Sequence, residues 1–170
     1  MTNRVSFKFL ILIVFICGAK SNSDYDYYWR DYNGAIPPDA VSGAYGVYIG
    51  QVYRNCTLIP GALYSENQNF VGEFYGKFET KTNIKILCSH GLLKWVMVNL
   101  DDVPFEDPDC KLVRGGFEGD TFNWYIGRYF HENMWKVSKV GYQHFKALSL
   151  WTNSGSYVHI KKFEVLKVCR

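Results

Sequence analysis

The pattern of apolar and polar residues predicts strands along most of the chain. Short runs rich in aromatic and β-branched residues recur at close spacing, separated by glycine, proline, asparagine and aspartate. No segment keeps apolar residues at i, i+3, i+4 and i+7 over three turns, so no helix is predicted. The predicted strands cover residues 47–53, 70–78, 84–88, 94–99, 125–130, 145–151 and 157–168. We therefore predict an all-β fold with a sandwich-like or prism-like core.

One stretch of the sequence occurs twice. The tripeptide Tyr-Ile-Gly at residues 48–50 recurs at residues 125–127, and the same offset aligns Leu63 with Val140 without a gap. Self-similarity of this kind indicates an internal duplication. Each copy is small for independent stability. We therefore predict two pseudo-symmetric tandem repeats, over residues 29–92 and 93–170, that share one core.

The first residues have the features of a secretory signal peptide. Arg4 and Lys8 supply positive charge, residues 9–16 are all aliphatic or aromatic, and small residues follow up to Ala19. The apolar run is shorter than the roughly 20 residues of a membrane-spanning helix. We predict a signal peptide over residues 1–19, an N-terminal segment over 20–28, and a secreted, extracellular protein without a membrane anchor.

The charge balance argues against a nucleic-acid partner. The chain has 19 Lys and Arg and 16 Asp and Glu, a formal net charge of +3. Arg4 and Lys8 leave with the predicted signal peptide, so 17 basic residues face 16 acidic ones and the charge falls to +1. Nucleic-acid binding depends on clustered Lys and Arg that neutralise phosphates. No such cluster is expected here.

Four cysteines follow the predicted cleavage point, which in a secreted chain indicates two disulfides. The candidates are Cys56, Cys88, Cys110 and Cys169. The repeat register makes Cys88 and Cys169 equivalent, so a bond between them near a local two-fold axis is one of three connectivities, and the choice stays open. No metal site is expected, because the nearest pair of ligands, Cys88 and His90, lacks a second pair.

The sequon Asn55-Cys56-Thr57 predicts a glycan at Asn55 on a loop, although so short a motif also arises by chance. Motifs of catalysis are not found: the chain has no Gly-x-Ser-x-Gly, His-Glu-x-x-His or P-loop. The glycines at 115–119 precede a predicted strand, which indicates a tight turn or a close backbone approach rather than a phosphate-binding loop. We predict no enzyme activity and no cofactor.

The chain resembles the DM-nine tandem-repeat family, which also forms the lectin-like part of natterin-like proteins. The resemblance covers essentially the whole chain after the predicted signal peptide. The matching residues are Trp29, residues 34–43, Tyr125-Ile126-Gly127-Arg128, His131-Glu132, Lys139-Val140 and Phe163-Glu164-Val165-Leu166. The resemblance implies a β-rich pair of repeats that recognises mannose-type glycans as an innate immune lectin.

In the family, an acid after the glycine pair and a lysine hold the sugar. On the second repeat these positions are Glu118 and Lys139, with Asp120 as a second candidate acid. Sugars also stack their C–H faces on aromatic rings, which adds Tyr125, Trp135 and the neighbouring Trp124 as candidates. The first repeat has Gly46 and Ala62 at the charged positions, so the resemblance predicts at most one site.

Two functions follow from this sequence. The first is a secreted, non-catalytic, mannose-type lectin-like protein of innate immunity, and a homodimer would strengthen weak sites by presenting several copies. The second is a secreted structural or interaction scaffold whose sugar site has decayed, which the missing charges of the first repeat favour.

Overall fold

A computed structural model of the chain describes residues 27–102, 107 and 109–169. All the regular secondary structure in this part is β-strand, which confirms the all-β prediction. The predicted signal peptide and residues 20–26 lie outside the described residues. In the described part, no helix is long and apolar enough to cross a membrane.

The described residues form fifteen strands. Their bounds are β1 (Tyr27–Asp31), β2 (Ser42–Ala44), β3 (Val47–Arg54), β4 (Thr57–Tyr64), β5 (Asn69–Glu73), β6 (Lys77–Thr80), β7 (Ile84–Ser89), β8 (Leu93–Asn99), β9 (Cys110–Leu112), β10 (Arg114–Glu118), β11 (Phe122–His131), β12 (Met134–Val140), β13 (Leu148–Trp151), β14 (Tyr157–Ile160) and β15 (Lys162–Cys169).

These strands pair antiparallel in a single hydrogen-bonded sheet. In the first half β3 pairs with β2, β4 and β7, the chain continues from β4 through β5 to β6, and β1 adds to β7. In the second half β11 pairs with β10, β12 and β15, β12 continues through β13 to β14, and β8 adds to β15. The pairing order is therefore repeated, while a two-fold axis and the boundary at residues 92 and 93 stay predictions.

The two halves share apolar core. One buried cluster takes Val47, Ile49, Ala62 and Leu87 from the first half and Val113, Ile126, Val137 and Leu166 from the second. Two further clusters lie within the individual halves, one around Phe70 and one around Phe163. Burial of apolar surface is the main favourable term in folding, so neither half keeps its full core without the other.

The glycine pair of β10 marks the place where the halves join. Glu118 and Phe117 pair with Thr57 and Leu58 of β4, which connects the two sets of strands. A Cβ atom at Gly116 would overlap the carbonyl oxygen of Leu58. The close backbone approach predicted for these glycines is thus confirmed, and its partner is the opposite half.

Arg128 connects four elements near this junction. Its Nε and Nη2 donate to the two carboxylate oxygens of Glu164 at 2.8 and 3.1 Å, and its Nη1 donates to the carbonyl of Gly43 at 2.6 Å. Its Cζ lies 4.5 Å from the ring centre of Trp95 and 4.8 Å from that of Trp135. A planar guanidinium can make the bidentate and ring contacts together, which a lysine cannot.

Several predicted strand bounds were wrong. The predicted strand at 70–78 is interrupted by a turn in which Tyr75 and Gly76 have positive φ, and residue 161 separates β14 from β15. Strand β4 was not predicted because Pro60 and Gly61 resemble a break. Pro60 instead lies opposite Gln51 in the sheet, and the absent Cβ of Gly61 makes room for Phe70.

One of the two predicted disulfides is present. Cys110 and Cys169 are directly opposite on β9 and β15 and are bonded to each other. The connectivity that the sequence left open is thereby decided against a bond between Cys88 and Cys169, because Cys169 is bonded to Cys110 and Cys88 is buried on β7. Cys88 and the exposed Cys56 are free thiols. Burial raises the pKa of Cys88 to about 11, so its reactive thiolate form is scarce at neutral pH.

The close approach at Gly116 predicts a position-specific cost of substitution. We expect Gly116→Ala to lower the free energy of unfolding by about 3 kcal/mol, because the added methyl overlaps backbone rather than a movable side chain. Gly119→Ala is the matched control: it meets no atom within 4 Å but has a φ of +54°, which costs about 1 kcal/mol. Urea unfolding measures both, and equal effects would contradict the proposed backbone overlap.

The disulfide predicts a second stability difference. Cys110 and Cys169 are 59 residues apart, so removing their bond with paired serines should lower the free energy of unfolding by about 4 kcal/mol through loop entropy. Cys56→Ser, which removes an exposed free thiol, should change it by less than about 0.5 kcal/mol. If the paired-serine variant unfolds at the same urea concentration as Cys56→Ser, this assignment of the bond is wrong.

Candidate ligand-binding site

An open hollow of about 220 Å³ lies between the β5–β6 turn of the first half and strands β10 to β14 of the second. We call it the Lys139 hollow. Its polar members are Glu73, Glu118, Lys139, Ser149, His144 and His159. Its remaining walls are aromatic and consist of Phe74, Tyr75, Trp124, Phe145 and Tyr157. Polar groups set among aromatic rings suit a ligand that has both apolar faces and hydroxyl edges.

Strand register brings the second-half members together. Lys139 on β12 lies opposite Ser149 on β13, and Ser149 lies opposite His159 on β14. Directly opposite residues of antiparallel strands project from the same face. Ile126 is the partner of Lys139 on β11, so Trp124, two residues earlier, reaches this face as well. Pairing thus gathers side chains that are distant in sequence.

The acid nearest Lys139 comes from the other half. Lys139 Nζ lies 3.1 Å from Oε2 of Glu73, and both side chains are almost fully buried, with 9% and 3% of their surface exposed. Glu118 lies on the rim of the same hollow and forms no ion pair with Lys139. The amine predicted to meet Glu118 therefore already has a partner, and the hollow contains two acids beside one lysine.

Two buried polar atoms of the hollow have no hydrogen-bond partner among the described residues. They are Oε2 of Glu73 and Nε1 of Trp124. The Glu73 oxygen is close to Lys139 but is not aligned with it as a hydrogen bond, while the other oxygen, Oε1, accepts from the backbone N–H of Gly76 at 3.3 Å. Buried polar atoms are normally paired. The hollow therefore has an acceptor that is engaged only by the ion pair with Lys139 and a donor without a partner, which match the two capacities of a hydroxyl group.

Aromatic contacts shape the wall of the hollow. The rings of Phe145 and His159 are stacked, with centres 4.6 Å apart and planes 4° apart, and Phe145 also contacts Trp124 at 5.7 Å. Desolvation lowers the pKa of His159, so this imidazole is neutral at pH 7 even though part of the ring is exposed. Lys139 Nζ lies 5.2 Å from the ring centre of Trp124 and 5.7 Å from that of Phe74. The amine is therefore fixed by two rings as well as by Glu73.

The pattern that defines the DM9 repeat matches residues 42–158 of this chain. The chain belongs to the DM9 repeat family. The resemblance found in the sequence is thereby confirmed. No curated protein matches the chain.

The structure brings two of the five predicted ligand residues of this DM9 chain into the hollow, Glu118 and Lys139. Asp120 is exposed in the β10–β11 turn and does not line it. Tyr125 packs against the apolar cluster around Phe163, and Trp135 packs against the shared cluster and Arg128. The two rings are thus used for packing. Trp124, named beside them from the sequence, does line the hollow.

Sequence reasoning missed the contributions of the first half. Glu73 ends β5 and Tyr75 lies two residues later in the aromatic turn, and nothing in the local sequence indicates that this turn faces the other half. Phe145 was missed because a strand had been predicted from residue 145, where the structure has the connection before β13, and His144 lies in the same connection. Asn55, the predicted glycan site, is exposed in the β3–β4 turn, and its modification stays a prediction.

No metal-binding cluster lies among the described residues of the Lys139 hollow. Over residues 27–102, 107 and 109–169, no group of three or more His, Cys, Asp or Glu side chains is placed to hold a metal ion. What the arrangement can do chemically is to donate and accept hydrogen bonds beside aromatic faces.

The buried pair predicts that Glu73 affects the stability of the protein and that Glu118 does not. Lys139→Met leaves the Glu73 carboxylate buried without its counter-charge, which should lower the free energy of unfolding by about 3 kcal/mol. Adding Glu73→Gln should restore most of the loss, because neither residue of the double variant is charged. Glu118→Gln, on the rim, should change stability by less than about 0.5 kcal/mol. A double-mutant cycle in urea measures the coupling, and additive effects would contradict the pairing of Glu73 with Lys139.

Proposed function

We propose that this DM9 protein is a secreted, non-catalytic carbohydrate-binding protein that recognises mannose-type glycans through the Lys139 hollow. The observation that carries the proposal is that Glu118 and Lys139, the acid and the amine of the family motif, line one open hollow with aromatic walls. The predicted signal sequence supports an extracellular role, for which recognition of foreign glycans in innate immunity is the function we favour.

The chemistry of the hollow supports a sugar over a charged ligand. Lys139 is balanced by Glu73, so the buried amine presents little net charge to a phosphate or carboxylate. The groups without a hydrogen-bond partner are Oε2 of Glu73, which is engaged only by its ion pair, and the indole N–H of Trp124, and Glu118 adds a further acceptor. Adjacent sugar hydroxyls donate and accept at once, and the C–H face of a pyranose fits an aromatic wall. Hydrogen bonds in which one partner is charged are stronger than those between two neutral groups.

This proposal predicts that Glu118 is required for binding and Asp120 is not. The secreted chain should bind high-mannose glycans on an array, and Glu118→Gln should weaken binding by about tenfold, because it removes a charge-assisted hydrogen bond. Asp120→Asn is the matched control, since it neutralises an acid only two residues away that does not line the hollow. Its binding should equal that of the unmodified protein.

Folding has to be checked before binding is compared. Glu118→Gln and Asp120→Asn should melt within a few degrees of the unmodified protein, because Asp120 is exposed and Glu118 is only half-buried. If Glu118→Gln binds mannose-type glycans as well as Asp120→Asn does, the Lys139 hollow is not the sugar site. Absence of binding to any glycan by the unmodified protein would instead favour the scaffold function, for which the engagement of Lys139 by Glu73 is the supporting observation.

A further inference from the structure

A second open hollow, of about 250 Å³, lies on the first half. We call it the Lys77 hollow. The lining residues used below are Asn69, Val71, Lys77, Glu79 and Trp151. Trp151 belongs to β13 of the second half, so this hollow, like the Lys139 hollow, takes one wall from the opposite half.

Strand register places the two hollows at corresponding positions. Ala62 on β4 lies opposite Val71 on β5, and Val71 lies opposite Glu79 on β6. The row Lys139–Ser149–His159 of the Lys139 hollow occupies the same place on β12, β13 and β14. Lys77 is two residues before Glu79 and therefore projects from the same face of β6.

The Lys77 hollow contains the same three chemical groups, but its ion pair joins two residues of one strand and is more exposed, with 27% and 44% of the two side-chain surfaces accessible. Lys77 Nζ lies 5.1 Å from the ring centre of Trp151 and 2.5 Å from Oε1 of Glu79. In the Lys139 hollow the corresponding distances are 5.2 Å to an indole ring and 3.1 Å to a carboxylate oxygen. Each hollow is therefore built around an amine that is held by an acid above a tryptophan.

The indole of Trp151 also has an unused donor. Trp151 is 1% exposed, and its Nε1 has no hydrogen-bond partner among the described residues. Its backbone carbonyl accepts from the buried Lys136 at 3.1 Å, and Lys136 Nζ lies 3.8 Å from the ring centre. The ring is thus held from within the core while its N–H stays unpaired, as the N–H of Trp124 does in the Lys139 hollow.

The acid of the Lys77 hollow is fixed in place. Asn69 Nδ2 donates to Oε2 of Glu79 at 2.6 Å, while Lys77 contacts the other oxygen. The hydrogen bonds from Lys77 and then from Asn69 lower the pKa of Glu79, so it is charged at neutral pH. Pre-ordered groups of this kind reduce the entropy lost when a ligand binds.

We propose that the Lys77 hollow is a second saccharide site, which makes a single chain bivalent. The inference rests on the proposed function, because it assigns the same class of neutral, hydroxyl-rich ligand to both hollows. The motif positions in the first half, Gly46 and Ala62, carry no charge, and the amine comes instead from β6. One chain with two separated sites can join two branches or two glycans without a dimer.

The test follows the two indole N–H signals separately by nuclear magnetic resonance. Methyl α-mannoside is titrated into the ¹⁵N-labelled protein after triple-resonance assignment of Trp124 and Trp151. We expect both signals to shift. Lys77→Met should weaken by about tenfold the affinity measured from the Trp151 signal, since it removes one charge-assisted hydrogen bond. The affinity measured from the Trp124 signal should stay unchanged. Lys81→Met is the matched control, because Lys81 is exposed in the β6–β7 turn and lines neither hollow.

The outcomes separate the inference from the proposed function. A shift of Trp124 without any shift of Trp151 would overturn the second site and leave the first intact. A Trp151 shift that Lys77→Met and Lys81→Met weaken equally would also overturn it. If neither indole shifts, the proposed function and the inference fail together. The signals of unmodified residues far from Lys77 show whether each variant is folded, and Lys77→Ala repeats the test if Lys77→Met is not.

Discussion

The structure depends on one arginine that makes hydrogen bonds and ring contacts to several strands at once. Arg128 is directly opposite Glu164 in the β11–β15 pair, and its third contact, to the carbonyl of Gly43, crosses into the first half. Rings from β8 and β12 contact its guanidinium group. The partly buried charge is tolerated because its hydrogen bonds and its counter-ion are supplied together. Five strands, β11 and the four that Arg128 contacts, must meet in one geometry for this to happen, which restricts how the halves can dock.

Docking of the halves in turn creates the two hollows. The Lys139 hollow has most of its surface on the second half but takes Glu73 and the aromatic turn after it from the first. The Lys77 hollow has the opposite arrangement, with Trp151 supplied by the second half. In the Lys139 hollow the acid paired with the amine comes from the other half, and in the Lys77 hollow the indole does. A substitution in one half can therefore change the chemistry of a hollow that lies mostly on the other half.

The agreement between sequence and structure varies with the range of the interaction involved. Strands with clear aromatic and β-branched runs, such as β3 and β7, were predicted within about two residues, because side-chain pattern is local. Strand β4 was missed since Pro60 and Gly61 usually interrupt strands. Only the structure shows that Gly116 of β10 packs closely against this part of β4. Glu118 and Lys139 came from the family motif, whereas Glu73 had no signal in its own neighbourhood. Its role depends on a turn that reaches across the junction.

Alternation of residue types, the repeated Tyr-Ile-Gly and the family motif by themselves determined the all-β class, the DM9 family and the positions of two hollow-lining residues. These properties depend on residue patterns and motifs within short stretches of the chain, so they can be recognised without knowing which strands are neighbours. Tertiary structure alone decided that Cys110 bonds Cys169, that Glu73 rather than Glu118 pairs with Lys139, and that Lys77 lies over Trp151. Each of these contacts joins residues from separate strands, so only strand register and the docking of two halves could bring them together.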